Sequence, residues 1–385
     1  MAPKKGSKAQ KGTKRSADSP DKASQNQKAK TTNGKAAPEQ GTVDPLSATA
    51  KTDLIHYLLS EEAFAVAYPP IQPGKGEVDL PAGAQSKPAP SRPKGAQGKR
   101  SAAEQAKSEG SDQEDKPTAA KLASYPSSMD FSPFQTLVSS ALLSKPISHR
   151  LCLRAIATLF NPPYEYTTPA KLEAAGYEGR RSALWDARTQ HKEKTAEQLG
   201  SIVDGVRELC EDEEDAVALG NVRKEAERLA RDQGRRGAKD AVVASLTDGI
   251  KGVGKGACDI FLRRIQHQWD VVFPYADGRS LQYAAELGLI NLPEGVNAED
   301  EEEKDEAQRK GADDLLAVLK EANKEQDGKG QEADRKAFVR LLDVLIGLRL
   351  EKKLAEVKGR GQSKKEGGED GQSEENPGTV GPNTI

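Results

Sequence analysis

Three glycines within five residues, Gly252-Val253-Gly254-Lys255-Gly256, stand between two stretches of helical apolar spacing, and they restrict this chain more than any other feature. Leu246 closes the first stretch, and Ala257, Ile260, Phe261 and Ile265 give the second a buried face. Gly252 and Gly254 allow a sharp reversal that a residue with a Cβ resists. Ile250 and Val253 are expected to point inward, leaving the first N–H groups of the next helix facing out toward a phosphate. Lys251 and Lys255 add positive charge at that point. Lys255 in a first helical turn opposes the helix dipole, and a nearby anion offsets that cost. The plainer alternative is a glycine cap between two ordinary packed helices. The same run, Gly249 to Lys255, fits the first seven positions of a nucleotide-binding G-x-x-x-x-G-K loop. Gly256 then occupies the Ser/Thr position that would hold magnesium, polar Thr247-Asp248 replace a buried strand, and no run of parallel strands follows. Nucleotide chemistry is therefore set aside.

About twenty residues on, one carboxylate lies in an apolar and aromatic setting, Val271-Val-Phe-Pro-Tyr-Ala-Asp277. Elsewhere the apolar residues recur at helical period: Phe134, Leu137, Val138, Ala141 and Leu142, then Leu151, Ala155 and Leu159, with Ser148 as an N-cap. Helical segments are expected at 169–175, 183–206, 222–232, 238–246, 255–268 and 280–287, closed by Gly288. An acidic loop over 294–309 should lead to helices at 313–323 and around Phe338–Leu345. No alternating strand pattern of useful length occurs, so the ordered part reads as an all-α domain over about 122–353, with an acidic insertion at about 294–310. Only 35% of the 385 residues are apolar and 31% are charged, which points to disorder over 1–121 and 354–385. Within the first of these tails, 49–68 carries Leu54, Ile55, Leu58 and Leu59 at helical spacing. It reads equally as a docking helix or as a fortuitous cluster.

Met1–Lys35 carries ten Lys/Arg against two acids, the pattern of a nuclear-delivery arm or of a segment that contacts polyanions or a protein partner. No apolar run reaches the roughly 18 residues a membrane span needs, and neither a secretory signal nor a mitochondrial presequence is expected at the start. Three cysteines, Cys152, Cys210 and Cys258, cannot supply four thiolates for an iron–sulfur cluster or a zinc site. No metal or cofactor is expected, and the chain is expected to act as a monomer on double-stranded DNA.

Taken together, these residues resemble the helix–hairpin–helix DNA glycosylases of the endonuclease III type. The family hairpin reads Leu-Pro-Gly-Val-Gly with a small residue after two intervening ones, and Ile250-Lys-Gly-Val-Gly254 with Ala257 is similar to it. Tyr275-Ala-Asp277-Gly-Arg-Ser280 falls where the family carries Val-Asp-Thr-His, Leu287-Gly-Leu289 follows, and Ser132-Pro-Phe-Gln-Thr-Leu-Val138 resembles the opening helix. The resemblance covers about 122–353. It implies a two-lobed all-α fold and a nuclear base-excision enzyme. Asp277 would be catalytic, and Lys251, Gly252, Val253, Gly254, Lys255, Gly256, Arg279 and Lys145 would contact DNA. The departures matter too. Gly256 occupies the position of the Schiff-base lysine, so no strand-nicking lyase step is expected. Lys255 is offset by about 100° on the helix and should not substitute. Lys145 or Pro146 takes the place of the family's intercalating glutamine, Arg279 that of its histidine, and the cysteine quartet is missing. Asp277 could equally cap the helix that follows it. Tyr275, Trp185 and Trp269 read as core residues or as base-stacking ones. A protein that keeps the fold and the DNA grip without catalysis is the competing expectation. A scaffold whose acidic blocks engage basic partners has only charge in its favour.

Overall fold

The computed structural model describes residues 46–70, 123–127, 129–324 and 330–363. The basic arm and most of 1–121, together with 364–385, lie outside the described residues. Among those described, every regular element is helical.

The expected segments at either side of the hairpin form as the spacing requires. α3 (Pro133–Leu143) begins with a complete capping box between Ser132 and Gln135. α4 (His149–Phe160) starts after Ser148, whose side chain makes no capping hydrogen bond, contrary to the cap read from the sequence. Thr168 caps α5 (Pro169–Ala174) through the Lys171 N–H. The stretch 183–206 is not one helix. α6 (Gly176–Asp186) and α7 (Lys192–Leu209) are divided by a turn in which Arg188 and His191 both take left-handed backbone angles, a break that no Gly or Pro announces. α8 (Glu213–Ala218) grows out of an acidic run because Asp212 caps it and Glu213–Asp215 lie in its first turn, where negative charge complements the helix dipole. α9 (Gly220–Gly249) joins two expected helices across a kink at Gly234, with φ 60° and ψ −152°. α10 (Lys255–Ile265) follows the hairpin, then a 3₁₀ turn (Asp270–Val272) and α11 (Gly278–Glu286).

Two differences concern the last third. The acidic loop read over 294–309 is helical from Glu301, and α12 runs Glu301–Ala322 without a break at 310. Asp300 caps it through the Glu303 N–H, and Glu301–Glu303 fill its first turn, so clustered acids promote a helix start here. After α13 (Gln331–Leu350) the described chain continues into α14 (Leu354–Ser363), where Leu354 and Val357 are buried, beyond the boundary read at 353.

The island at 49–68 docks. α1 (Ala48–Leu59) and α2 (Glu61–Ala67) pack on α12 and α13, with Ile55 and Leu58 fully buried and Leu54 nearly so. Burying side chains of this size favours the docked state by about 1.5–3 kcal/mol each. Thus α1, α2 and α11–α14 pack chiefly with one another, while α3–α9 form a second set, linked through α3–α4, α4–α6, α6–α7 and α7–α9 contacts. α10 touches both sets, meeting α3 and α9 on one side and α13 on the other.

Candidate functional site

The hairpin is built as its residues dictate. Ile250 and Val253 are buried, whereas Lys251, Gly252, Gly254, Lys255 and Gly256 are exposed. Gly252 has φ +89°, the region where a Cβ is strained, and its carbonyl accepts a 2.6 Å hydrogen bond from Gln198 Nε2. α7 supports the hairpin from behind. A Cβ at Gly205 would lie 2.7 Å from the Gly249 carbonyl, so only glycine permits that approach. Gly254 supplies no side-chain cap to α10, and its carbonyl takes the Ala257 and Cys258 N–H groups, which leaves those of Lys255 and Gly256, both exposed residues, for an external acceptor. The Lys255 ammonium sits 3.2 Å from Glu301 of α12 with both partners largely exposed, an ion pair of small worth that an anion can replace.

A cleft of about 580 Å³ opens beside this helix start. It is lined by Lys145 and Pro146 from the α3–α4 turn, Gly256 from α10, and Asp277 and Arg279 from the start of α11. Five positions far apart in the sequence therefore border one cleft. Lys251, Gly252, Val253, Gly254 and Lys255 lie outside that lining, on the hairpin that adjoins it. Burial holds the Lys145 ammonium below its ordinary range.

Asp277 caps α11 and is buried. Its Oδ1 accepts the N–H groups of Arg279 and Ser280 at 3.0 and 3.1 Å, and its Oδ2 accepts Ser280 Oγ at 2.9 Å and Arg263 Nη1 at 2.8 Å. Burial alone would raise this carboxyl. The Arg263 guanidinium and the two Ser280 donors instead hold it below the usual carboxylate range. A carboxylate so placed stays ionised through the neutral range and is a poor proton acceptor. The folded value lies below the unfolded value of about 3.9, so the contribution of ionised Asp277 is complete above that value and disappears as pH falls through the folded one. The stability advantage of wild type over Asp277→Asn should be constant from pH 6 to 8 and shrink below about pH 4. Urea unfolding at stepped pH measures it, and an advantage that grows in acid would contradict the depressed value.

Arg263 and Arg264 were not legible as site residues in the sequence. Arg264 Nη1 lies 2.5 Å from Asp343 Oδ2 in the middle of α13, and Arg263 Nε lies 3.8 Å from Asp343 Oδ1. Tyr125 stacks under the Arg264 guanidinium at 4.9 Å, and the Tyr68 hydroxyl donates to the Asp343 carbonyl at 2.9 Å. Two arginines and two aspartates thus form a balanced buried cluster that ties α10, α11 and α13 together behind the cleft. His149 also faces the cleft, and burial pushes its imidazole down to about 4.

The aromatic candidates resolve differently. Trp269 is 1% exposed and packs edge-on against Phe261, as a core residue. Tyr275 is buried and gives its hydroxyl to Asp259 at 2.8 Å. Trp185 is half-buried under Lys192, whose Nζ sits 4.2 Å above its ring, away from the cleft lining. Cys152, Cys210 and Cys258 are buried free thiols, each pushed up to about 12 by burial. Among the described residues no group of His, Cys, Asp or Glu is disposed to hold a metal, and no helix is long and apolar enough to cross a membrane. Comparison with protein-family models, curated proteins and solved structures finds no match to this chain.

Proposed function

We propose that this protein binds double-stranded DNA through the 250–256 hairpin and excises a damaged or mismatched base as a monofunctional, nuclear glycosylase-like enzyme. The observation that supports the reading is the cleft itself. It is lined both by Asp277 at the start of α11 and by Gly256 at the start of α10, next to a hairpin that exposes Lys251 and Lys255. In this reading the two sets of helices that meet at α10 are the two lobes of the fold, and a flipped nucleotide enters between them. Asp277, held ionised, stabilises the positive charge that develops on the sugar as the glycosidic bond breaks. Gly256 offers no amine, so no strand nicking accompanies excision.

Full-length protein incubated with duplexes bearing uracil, alkylated, oxidised or mismatched bases should release one class of base. Asp277→Asn should slow that release by about 10²–10³-fold, the usual cost of removing a preorganised electrostatic partner. The second reading, DNA binding without excision, has its own observation. Asp277 already receives four donors, and the charge of Arg263 reduces the field the carboxylate casts on the cleft. Tight, salt-sensitive binding of every duplex with no base released would favour that reading.

A further inference from the structure

We propose that Asp259 is the proton acceptor of this cleft, the residue that activates the water attacking C1′ of the extruded nucleotide. The assignment rests on the base-excision reading above. Asp259 stands three residues after Gly256, on the same face of α10, and it lines the cleft together with Asp277. Its Oδ1 is fixed by the Tyr275 hydroxyl at 2.8 Å, and no described residue hydrogen-bonds its Oδ2. Asp277 differs on that point, since both of its oxygens are occupied. The surroundings also divide the two acids. Burial and the nearby Asp277 charge raise the Asp259 carboxyl despite the Tyr275 hydrogen bond, while Asp277 is held low. Carboxylates driven apart in this way take different roles, one as a fixed charge and the other as the group that exchanges a proton.

Water can also reach it. Asp259, Lys304 and Gln308 line both the cleft and the adjoining groove of about 280 Å³ beneath α12. In the step proposed, the glycosidic C–N bond breaks with its electron pair passing to the base nitrogen. The water oxygen bonds to C1′, its proton passes to Asp259 Oδ2, and the departing base takes a proton from solvent. The acceptor then returns its proton to water in the groove.

The pH dependence is set by what faces Asp259. Arg263 on its own helix and Lys304 on α12 favour the carboxylate, as does the Tyr275 hydrogen bond, while Asp277 opposes it. Along the groove, Arg236 and Lys239 of α9 are paired with Glu302 and Asp305 of α12, and Asp240 and Glu301 sit beside these pairs.

The experiment uses the full chain on the duplex the base panel selects, under single-turnover conditions from pH 4.5 to 8. Wild type should lose rate as pH falls through the Asp259 value. Asp259→Asn should be slower by about a hundredfold, a typical contribution of a general base, and should lack that acid limb. Its affinity for the same duplex should stay within about twofold, because no binding contact is removed. Tyr275→Phe deletes a hydrogen bond to the ionised form, so it should move the limb to higher pH and keep most of the plateau rate. An unchanged rate and limb in Asp259→Asn, or an unmoved limb in Tyr275→Phe, would overturn the assignment. Release of no base from any duplex by wild type would overturn the base-excision reading and the assignment with it, an outcome seen before any variant is made.

Discussion

Asp343→Ala is expected to lower the unfolding free energy by about 3–5 kcal/mol, the cost of removing one partner from a buried ion pair. Asp343 is 1% exposed and is the counter-charge of Arg264, which is 2% exposed, and it is the second carboxylate near Arg263. Without it, Arg263 keeps Asp277, Arg264 loses the carboxylate that faces it and keeps neutral acceptors such as the Pro126 carbonyl, and both guanidinium groups stay buried at the junction of α10 and α13. For a domain of this size each kcal/mol moves the melting temperature by about 2–4 °C, so a fall of about 6–20 °C should be seen by thermal unfolding. Asp343→Asn keeps the shape and removes the charge, and it should lose nearly as much, which separates charge from packing. Replacing Arg264 by Met and Asp343 by Leu together should recover most of the loss, because an apolar pair needs no counter-charge. A single-variant loss under about 1 kcal/mol would mean that the arginines find other acceptors, and the cluster would not be what fixes α10 behind the cleft.

The cluster also shows what the sequence could reveal. Asp343 interrupts the run Phe338–Leu348 and the Arg263-Arg264 pair interrupts the apolar face of α10, so each is locally out of place. An isolated charge in an apolar helix announces a buried partner without naming it, because the partner lies 79 residues away for the Arg264–Asp343 pair. Hairpin residues were legible because the constraint is local. Gly252 must supply a positive φ, and Ile250 and Val253 must turn inward where Lys251 between them and Lys255 beyond them turn out. The roles open to Asp277 were legible for the same reason, since a cap is set by the next three residues. Its neutralising partner was not, because Arg263 arrives from another helix. Asp259 gave no signal either. A single acid among the polar positions of α10 reads as a solvated residue until Tyr275 is seen folded onto it.

Misplaced boundaries have a similar origin. Local composition marked 294–309 as a loop because the acids repel one another along an isolated helix. In the fold their neighbours are cationic. Glu302 meets Arg236, Asp305 meets Lys239, and Glu301 meets Lys255, so cationic partners on α9 and the hairpin helix add to the Asp300 cap and the first-turn acids that start the helix. Leu354 and Val357 were too few to signal a helix after α13, and they become one by packing against elements already formed.

Gly256→Lys should convert the cleft into one that traps an abasic sugar. A Cβ at Gly256 would meet nothing within 4 Å, its backbone is not in the left-handed region, and the position lines the cleft with Asp277. Exchanging glycine for lysine gains about 0.5–1 kcal/mol of helix propensity and loses about 0.3–1 kcal/mol to the helix dipole, so the fold should tolerate it. On a duplex carrying a preformed abasic site, the ring-opened aldehyde condenses with the new amine, releasing water, and borohydride reduces the C=N bond to a stable link. No base has to be excised, so the outcome does not depend on glycosylase activity. Wild type already presents Lys251 and Lys255 nearby, and their adducts define the background. Lys255 is turned about 100° away from position 256, so proximity alone should give it no advantage. The variant should yield at least about tenfold more denaturation-resistant adduct, a small part of what correct placement gives an intramolecular reaction. Equal trapping in both proteins would show that the sugar does not come to the cleft that positions 256 and 277 both line, and the cleft would then serve a different ligand.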